Sequence, residues 1–365
     1  MKIIINQPRS SYFVGGAERI SFDHAINFYA LGHEVHFITL SPRSVGLEYS
    51  EPYKKFYEEY SNKISIIEIN QDEKARYIYE IEPGEDRCRW NIESIFYNQR
   101  LYEYLSEKNT IYDFVFSYYN LDAVFIPRKL INKNVLYLCG IPKQQNDFQG
   151  SFLSAYDKVI AISMEVKESW KKYYKEEMKV VSTGVDCNRF LLKSSQSEEK
   201  KEITLLYVGR LISRKNVDKI ILAFERLKKK YKLKMVIVGD GPDRNRLEKI
   251  SKYATFVGVV SNTEKYYQEA DIFISPSEYG EGLQGTILEA MSCGLTIVAT
   301  NSKINKELLE DGRGFVVEPT LDSTIEGIIK AIESNRKIIA QKNRKYVLEH
   351  YNWIEKTSKL VEVIK

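Results

Sequence analysis

Cysteine is scarce in this 365-residue chain: Cys88, Cys139, Cys187 and Cys293 are the whole set, and histidine is limited to four positions. No two cysteines stand as Cys-x-x-Cys, so a zinc finger and a disulfide framework are both poor readings, and a reducing, cytoplasmic compartment is expected. Long hydrophobic runs are missing too. Stretches such as Val115–Asn120 fall far short of the roughly 20 apolar residues that cross a bilayer. The opening Met1-Lys2-Ile3-Ile4-Ile5-Asn6-Gln7-Pro8-Arg9 lacks the apolar core of a signal peptide, so export is not expected. No Asp-x-Asp pair occurs, so no metal is expected. Charge of one sign is also lacking, with 54 basic and 50 acidic side chains giving +4. Residues 201–250 hold most of the surplus, 14 basic against 6 acidic. That is too little for a nucleic-acid binder but suits a small anionic ligand in the second half. Lys228-Lys229-Lys230 reads as a solvated helix face.

What is present is an ordinary globular mix, 43% hydrophobic and 28% charged, in a length that suggests about two domains. Ile3–Ile5 reads as a buried strand. Ala17, Ile20, His24, Phe28 and Leu31 share one face of a helix that Gly32 ends, and Val35–Leu40 is the next strand. His24 on that apolar face reads as a core histidine. Strand–helix–strand order implies a parallel sheet. Helical pieces are expected near 51–60 and 91–107, and strands at Phe114–Ser117, Val135–Cys139, Lys158–Ile162 and Val180–Ser182. A helix over Ser163–Tyr174 is opened by a Ser cap. Residues 193–202 are polar and Ser-rich, as a linker would be. Beyond them the alternation restarts: strands at Ile203–Val208, Lys234–Val238, Thr255–Val257, Ile272–Ser275 and Thr296–Ala299. Helices are expected at Val217–Lys228, Arg244–Tyr253, Tyr266–Glu269 and Thr286–Ser292. Two doubly wound α/β domains follow, with ligands expected at strand carboxyl ends.

Three loops carry chemistry. Ser275–Met291 joins a strand to a helix through Gly280, Gly282 and Gly285. Free amides near Gln284–Thr286 offer an anion site at the helix start. Glu281 and Glu289, eight apart, could hold a sugar and a ribose diol; a helix-start carboxylate answering the dipole is the plain alternative. Val208–Asn216 sets Arg210 and Lys215 five apart, a fork and a point charge for a diphosphate, or two solvated loop cations. Gly15-Gly16-Ala17-Glu18-Arg19 lacks the spacing of a nicotinamide-cofactor loop but lets a backbone amide approach a ligand.

Together these motifs resemble the family-four retaining glycosyltransferases with the GT-B fold. The likeness extends through Tyr156–Ser163, Gly184-Val185-Asp186, Gly209-Arg210 with Lys215, Val238–Pro242, Phe256-Val257-Gly258, the Glu281/Glu289 pair, Asp311-Gly312 and Trp353. It implies two Rossmann-like doubly wound domains facing across a cleft. An acceptor-side domain would span 1–190, completed by a helix at 350–365, and a nucleotide-sugar domain 191–349. It also implies roles. Arg210 and Lys215 would neutralise the donor diphosphate, and Glu281 would lie by the transferred sugar. Glu289 would hold the ribose, and Phe256, Val257 and Gly258 would frame the base. Leu283, Gln284, Gly285 and Thr286 would line the donor loop, and Gly16 would approach the phosphate.

The chain departs from the family in places. No His follows the fourth strand, and Tyr118 stands nearest its position, either as a donor-sugar contact or as ordinary packing. Thr183 replaces the usual Asn, and Thr296 the usual Pro. The expected activity is retaining, metal-independent transfer of a hexose from a nucleotide-diphosphate sugar to an acceptor hydroxyl in cell-surface polysaccharide or glycolipid synthesis. UDP is favoured over GDP or ADP as the donor nucleotide, with no separate cofactor. The acceptor would be a saccharide or a lipid-linked molecule. Trp170–Lys175, basic and aromatic, is a candidate contact for the inner membrane face, with a solvated helix as the alternative. A non-catalytic nucleotide-sugar-binding subunit and a nucleotide-sugar epimerase are the rival activities. No nucleic-acid partner is expected.

Overall fold

The computed structural model describes residues 1–365 apart from 73–74, 81–86, 109, 120, 143–149, 151, 194–201 and 278–282, and at 80, 87 and 88 the backbone alone. The chain divides into two compact units, Met1–Thr183 with Ile354–Lys365, and Gly184–Trp353. The division falls at Thr183/Gly184, earlier than the expected 190/191. The cause is local: Gly184–Phe190 pairs inside the second unit. Val185 donates its amide to Tyr351 O at 2.8 Å, and Arg344 Nη1 and Ser292 Oγ donate to Phe190 O.

Seven parallel strands form the sheet of the first unit: β1 (Lys2–Asn6), β2 (Glu34–Leu40), β3 (Ser65–Ile69), β4 (Tyr112–Ser117), β5 (Ile131–Leu138), β6 (Lys158–Ala161) and β7 (Lys179–Val180), in the order β3-β2-β1-β4-β5-β6-β7. Ile3, Ile4 and Ile5 are fully buried, because central strands of a parallel sheet are covered on both faces and need apolar residues in unbroken runs. Register is set by pairs such as Ile3↔Val35 and Ile3↔Phe114. The helix Gly16–Ala30 closes with amides of Leu31 and Gly32 on Asn27 O and Tyr29 O, Gly32 taking φ +81. Helix Trp353–Ile364 returns to this unit, where Lys133 Nζ donates to Ile364 O at 2.9 Å.

The second unit repeats the plan with six parallel strands: β8 (Ile203–Val208), β9 (Leu233–Val238), β10 (Ala254–Gly258), β11 (Ile272–Ser275), β12 (Thr296–Thr300) and β13 (Gly314–Val317), in the order β10-β9-β8-β11-β12-β13. The apolar face of helix Val217–Leu227 (Val217, Ile220, Ile221, Phe224) packs with Leu205, Met235 and Ile237 of the strands.

Some elements differ from expectation. The helix expected at Arg244–Tyr253 stops at Glu248, because Ser251 Oγ accepts the amides of Tyr253 and Ala254 and turns the chain. The helix after Ser163 runs only Met164–Trp170, capped by Ser163 Oγ accepting from Val166 N. Trp170 and Tyr174 are buried, Trp170 Nε1 donating to Gly140 O at 2.8 Å. The 170–175 segment turns these two rings inward and leaves Lys171, Lys172 and Lys175 exposed. Among the described residues no helix is long and apolar enough to cross a membrane.

Candidate active site

The carboxyl ends of β8, β9, β10 and β11 gather the second unit's candidate residues on one sheet edge, and glycine makes the gathering feasible. Gly239 sits at φ +128, where a side chain would run into the Gly209 carbonyl oxygen; its amide donates to Gly258 O at 2.8 Å. Gly209 N donates to Val238 O and Leu211 N to Asp240 O, so the loops after β8 and β9 lie against each other as backbone. This close backbone contact fixes where Arg210 leaves its strand. Tyr207 Oη donates to Arg210 O at 2.9 Å and pins the turn from below. A single 3-10 turn, Ser213–Lys215, follows, and Asn216 takes a left-handed conformation (φ 49). Its Nδ2 donates to Pro276 O at 3.3 Å, tying the Lys215 turn to the loop after β11. Arg210 and Lys215 are both half-buried. Phe256 and Val257 are half-buried at the end of β10, and Gly258 is buried beside them.

The loop after β11 is anchored at both ends. Ser275 Oγ donates to Gln284 Oε1 at 2.7 Å, and Thr300 Oγ1 donates to Ser277 O. Its centre, 278–282, lies outside the described residues, and with it Glu281. From Gln284 the helix Gly285–Ser292 begins with no side-chain cap. The first hydrogen bond at this start runs from Ile287 N to Gln284 O at 3.1 Å, after the amides of Gly285 and Thr286. Leu283 is buried, Gln284 and Thr286 are half-buried, and Gly285 is exposed with open space around its α-carbon. Glu289, just over one turn in, is only 6% exposed and accepts from Tyr267 Oη through Oε2 at 2.7 Å. Tyr267 is fully buried, edge-on to Phe190 at 5.6 Å. Burial, with the Glu289 charge second, pushes the neighbouring Cys293 thiol up to about 12. The sequence singled out Glu289 but not Tyr267, because nothing in Glu264-Lys265-Tyr266-Tyr267 marks the second tyrosine as its partner.

The first unit holds two of the sequence's candidates. Gly16 opens the first helix, exposed and with no atom near a notional side chain. Glu18, three residues past the N-cap Gly15, is buried with its carboxylate close to the Gly15 α-carbon. Tyr118 lies just past β4, only 6% exposed, and its hydroxyl bonds His24 Nδ1 at 2.8 Å. The rings stack at 5.7 Å, with Tyr137 edge-on to His24 at 5.0 Å. Burial holds His24 near pKa 3, so its imidazole is neutral, and drives the Tyr118 phenol well above its ordinary value. His24 is the core histidine its helix face suggested.

Among the described residues no group of three or more His, Cys, Asp or Glu side chains could hold a metal ion. A cavity of about 450 Å³ opens elsewhere in the second unit, lined by Phe224, Tyr231, Tyr253 and lysines of 228–234. It includes neither Arg210, Lys215 nor Glu289.

Residues 188–349 match the family described as glycosyl transferases group 1. An uncharacterized glycosyltransferase of Methanocaldococcus jannaschii is 29% identical over 276 residues, covering 67% of this chain and 69% of that protein. The alpha-monoglucosyldiacylglycerol synthase of Streptococcus pneumoniae is 30% identical over 217 residues, 52% of this chain, which spans about half (49%) of that relative. In fold, the crystal structure of Anabaena HepE in complex with UDP and glucose superposes over 100% of this chain and 99% of its own, at 18% identity and a TM-score of 0.76.

Proposed function

We propose that this chain is a GT-B glycosyltransferase of group 1 that transfers a hexose from a UDP-sugar to an acceptor hydroxyl with retention at the anomeric carbon. The observation that carries the reading is the carboxyl edge of the second sheet, where Arg210 and Lys215 follow β8 and the helix Gly285–Ser292, with buried Glu289, follows the neighbouring β11. Two cations and the leading amides of a helix suit a diphosphate, and a carboxylate fixed by Tyr267 suits the two hydroxyls of a ribose. A nucleoside diphosphate therefore finds each of its charged and diol groups answered by one sheet edge.

The chemistry then follows from charge. The bond between the anomeric carbon and the β-phosphate oxygen breaks, and negative charge grows on the leaving phosphate. Arg210 and Lys215 stabilise that charge, which is where a fixed cation lowers the barrier most. The acceptor oxygen bonds to the anomeric carbon on the face the phosphate leaves, and its proton passes to a phosphate oxygen. No separate protein base is required, so the catalytic contribution is positioning and electrostatics. Glu281 is assigned to the transferred sugar by the family resemblance alone. The similarity to a diacylglycerol glycosyltransferase and to a UDP- and glucose-binding protein supports a role in polysaccharide or glycolipid synthesis.

A thermal-shift series with UDP, GDP and ADP tests the donor, since a ligand that binds only the folded chain raises its melting point by mass action. UDP is expected to give the largest shift and UDP-sugar to be slowly hydrolysed without an acceptor. Shifts with UDP but no hydrolysis would favour a binding subunit. An equal response to all three nucleotides would remove the UDP preference.

A further inference from the structure

At the carboxyl edge of the first unit's sheet lies a polar cluster that the donor chemistry does not use. Arg9, in the loop after β1, is 1% exposed, and Asp122, after β4, is fully buried. Both guanidinium amino groups donate to the Asp122 carboxylate at 3.0–3.2 Å, and Nη2 also donates to Ser94 Oγ at 2.9 Å. Glu93, 1% exposed on helix Arg87–Lys108, accepts from Tyr12 Oη through Oε1, while its Oε2 has no hydrogen-bond partner among the described residues. A buried ion cluster contributes little net stability, because desolvation offsets most of its attraction. Its geometric effect is to clamp two strand-end loops and a helix start together.

The clamp carries aromatic rings. The Arg9 guanidinium lies 5.2 Å from the Trp90 ring centre and 4.9 Å from that of Tyr119. Trp90 meets Tyr119 edge-on at 5.9 Å and Phe13 edge-on at 5.7 Å. All three rings are half-buried, so each is pinned within the protein and open in part to water. Polar groups edge them: Tyr119 Oη donates to Asn91 Oδ1 at 2.6 Å. Rigid ring faces beside amide and phenol oxygens match a pyranose, which presents an apolar C–H face and a polar rim of hydroxyls. A bare diacylglycerol headgroup presents no such face.

We propose that Phe13, Trp90 and Tyr119, held by Arg9, form a saccharide-stacking platform, and that the acceptor is a sugar rather than a lipid alcohol. The assignment of this sugar as acceptor rests on the transferase reading above; the sugar site itself does not. Saturation-transfer NMR on the full chain, with maltose, lactose and N,N′-diacetylchitobiose as probes, reads the site without turnover. At least one probe should receive saturation on its C–H face. Trp90→Ala and Tyr119→Ala should each cut that signal about fivefold or more, with Trp90→Phe keeping most of it. UDP-induced thermal shifts report separately that each variant is folded. No signal from any probe with the wild-type chain, or a signal that both alanine variants keep, overturns the platform. Transfer from UDP-sugar onto diacylglycerol without saccharide binding would sink the platform and leave the transferase standing. Saccharide binding without any transfer would do the reverse.

Discussion

Lys215 gives the sharpest residue-level expectation. It ends a short 3-10 turn on a loop, half-buried and outside the apolar core, so Lys215→Ala should fold normally. Turnover should fall on the order of 100-fold, through lost stabilisation of the leaving phosphate. Steady-state kinetics beside a melting curve would show it, and unaltered turnover would take Lys215 out of the site. Tyr267 acts one step back. Tyr267→Phe removes the donor on Glu289 Oε2, and a hydrogen bond to a charged group contributes about 1.5–3 kcal/mol. That figure is a loss of folding stability, and with Glu289 no longer held the UDP dissociation constant should rise as well, measured by calorimetry; unchanged affinity would mean that Tyr267 does not position Glu289 for the ribose. His24 supplies a pH effect. The unfolded chain takes up a proton there near pH 6.5, whereas the folded chain refuses it until about pH 3. The unfolded state thus binds more protons in that window, and stability falls as pH drops through it. From about pH 7.5 to about 5.5 the loss from this one group should be about 1.4 kcal/mol. Urea denaturation of His24→Gln should show a pH dependence smaller by that amount, and an identical dependence would contradict a buried, neutral His24.

Among elements, the two strand–turn–helix loops of the second unit were legible because glycine, cations and a strand before them are local signals. What made them converge was not legible. Gly239 has no visible role in Val238–Pro242 until its φ of +128 and the Gly209 carbonyl above it are seen. Gly239→Ala should lower the melting temperature by many degrees, whereas Gly16→Ala, with open space around it, should leave stability within about 0.5 kcal/mol. Equal effects from the two would mean that close backbone approach does not organise the β8–β9 loops. The two strands not anticipated share a physical cause. β3 (Ser65–Ile69) is a half-buried edge strand in a Tyr- and Glu-rich stretch, and β13 (Gly314–Val317) is a four-residue edge strand. Edge strands need little apolar alternation to pair. The Arg9 cluster was missed for the opposite reason. Its helix face runs Trp90, Glu93, Ser94, Tyr97 and Asn98, polar where a core face is usually apolar, and its partners come from loops roughly 80–110 residues away in the chain.

At the scale of the whole molecule, the organising fact is that the same parallel-sheet plan occurs twice, with candidate residues at strand carboxyl ends in both units. In the second unit the charge there is positive and belongs to the protein. A nucleoside diphosphate must be met by positive charge, either from a divalent ion held by carboxylates or from fixed side-chain cations. Arg210 and Lys215, on the reading proposed above, are of the second kind, delivered by the fold rather than by solution. Glu289 on this edge has one oxygen engaged by Tyr267 and lies within a helix, while the Asp240 carboxylate is held by Arg244 Nη1 and the Gly241 amide. Transfer should therefore survive excess EDTA at essentially full rate, and the UDP-induced thermal shift should be the same with and without magnesium. If chelation abolishes turnover and magnesium restores it, the protein's own cations are insufficient. The diphosphate must then arrive with its metal, and Arg210 and Lys215 would be steering groups rather than the charge that stabilises departure.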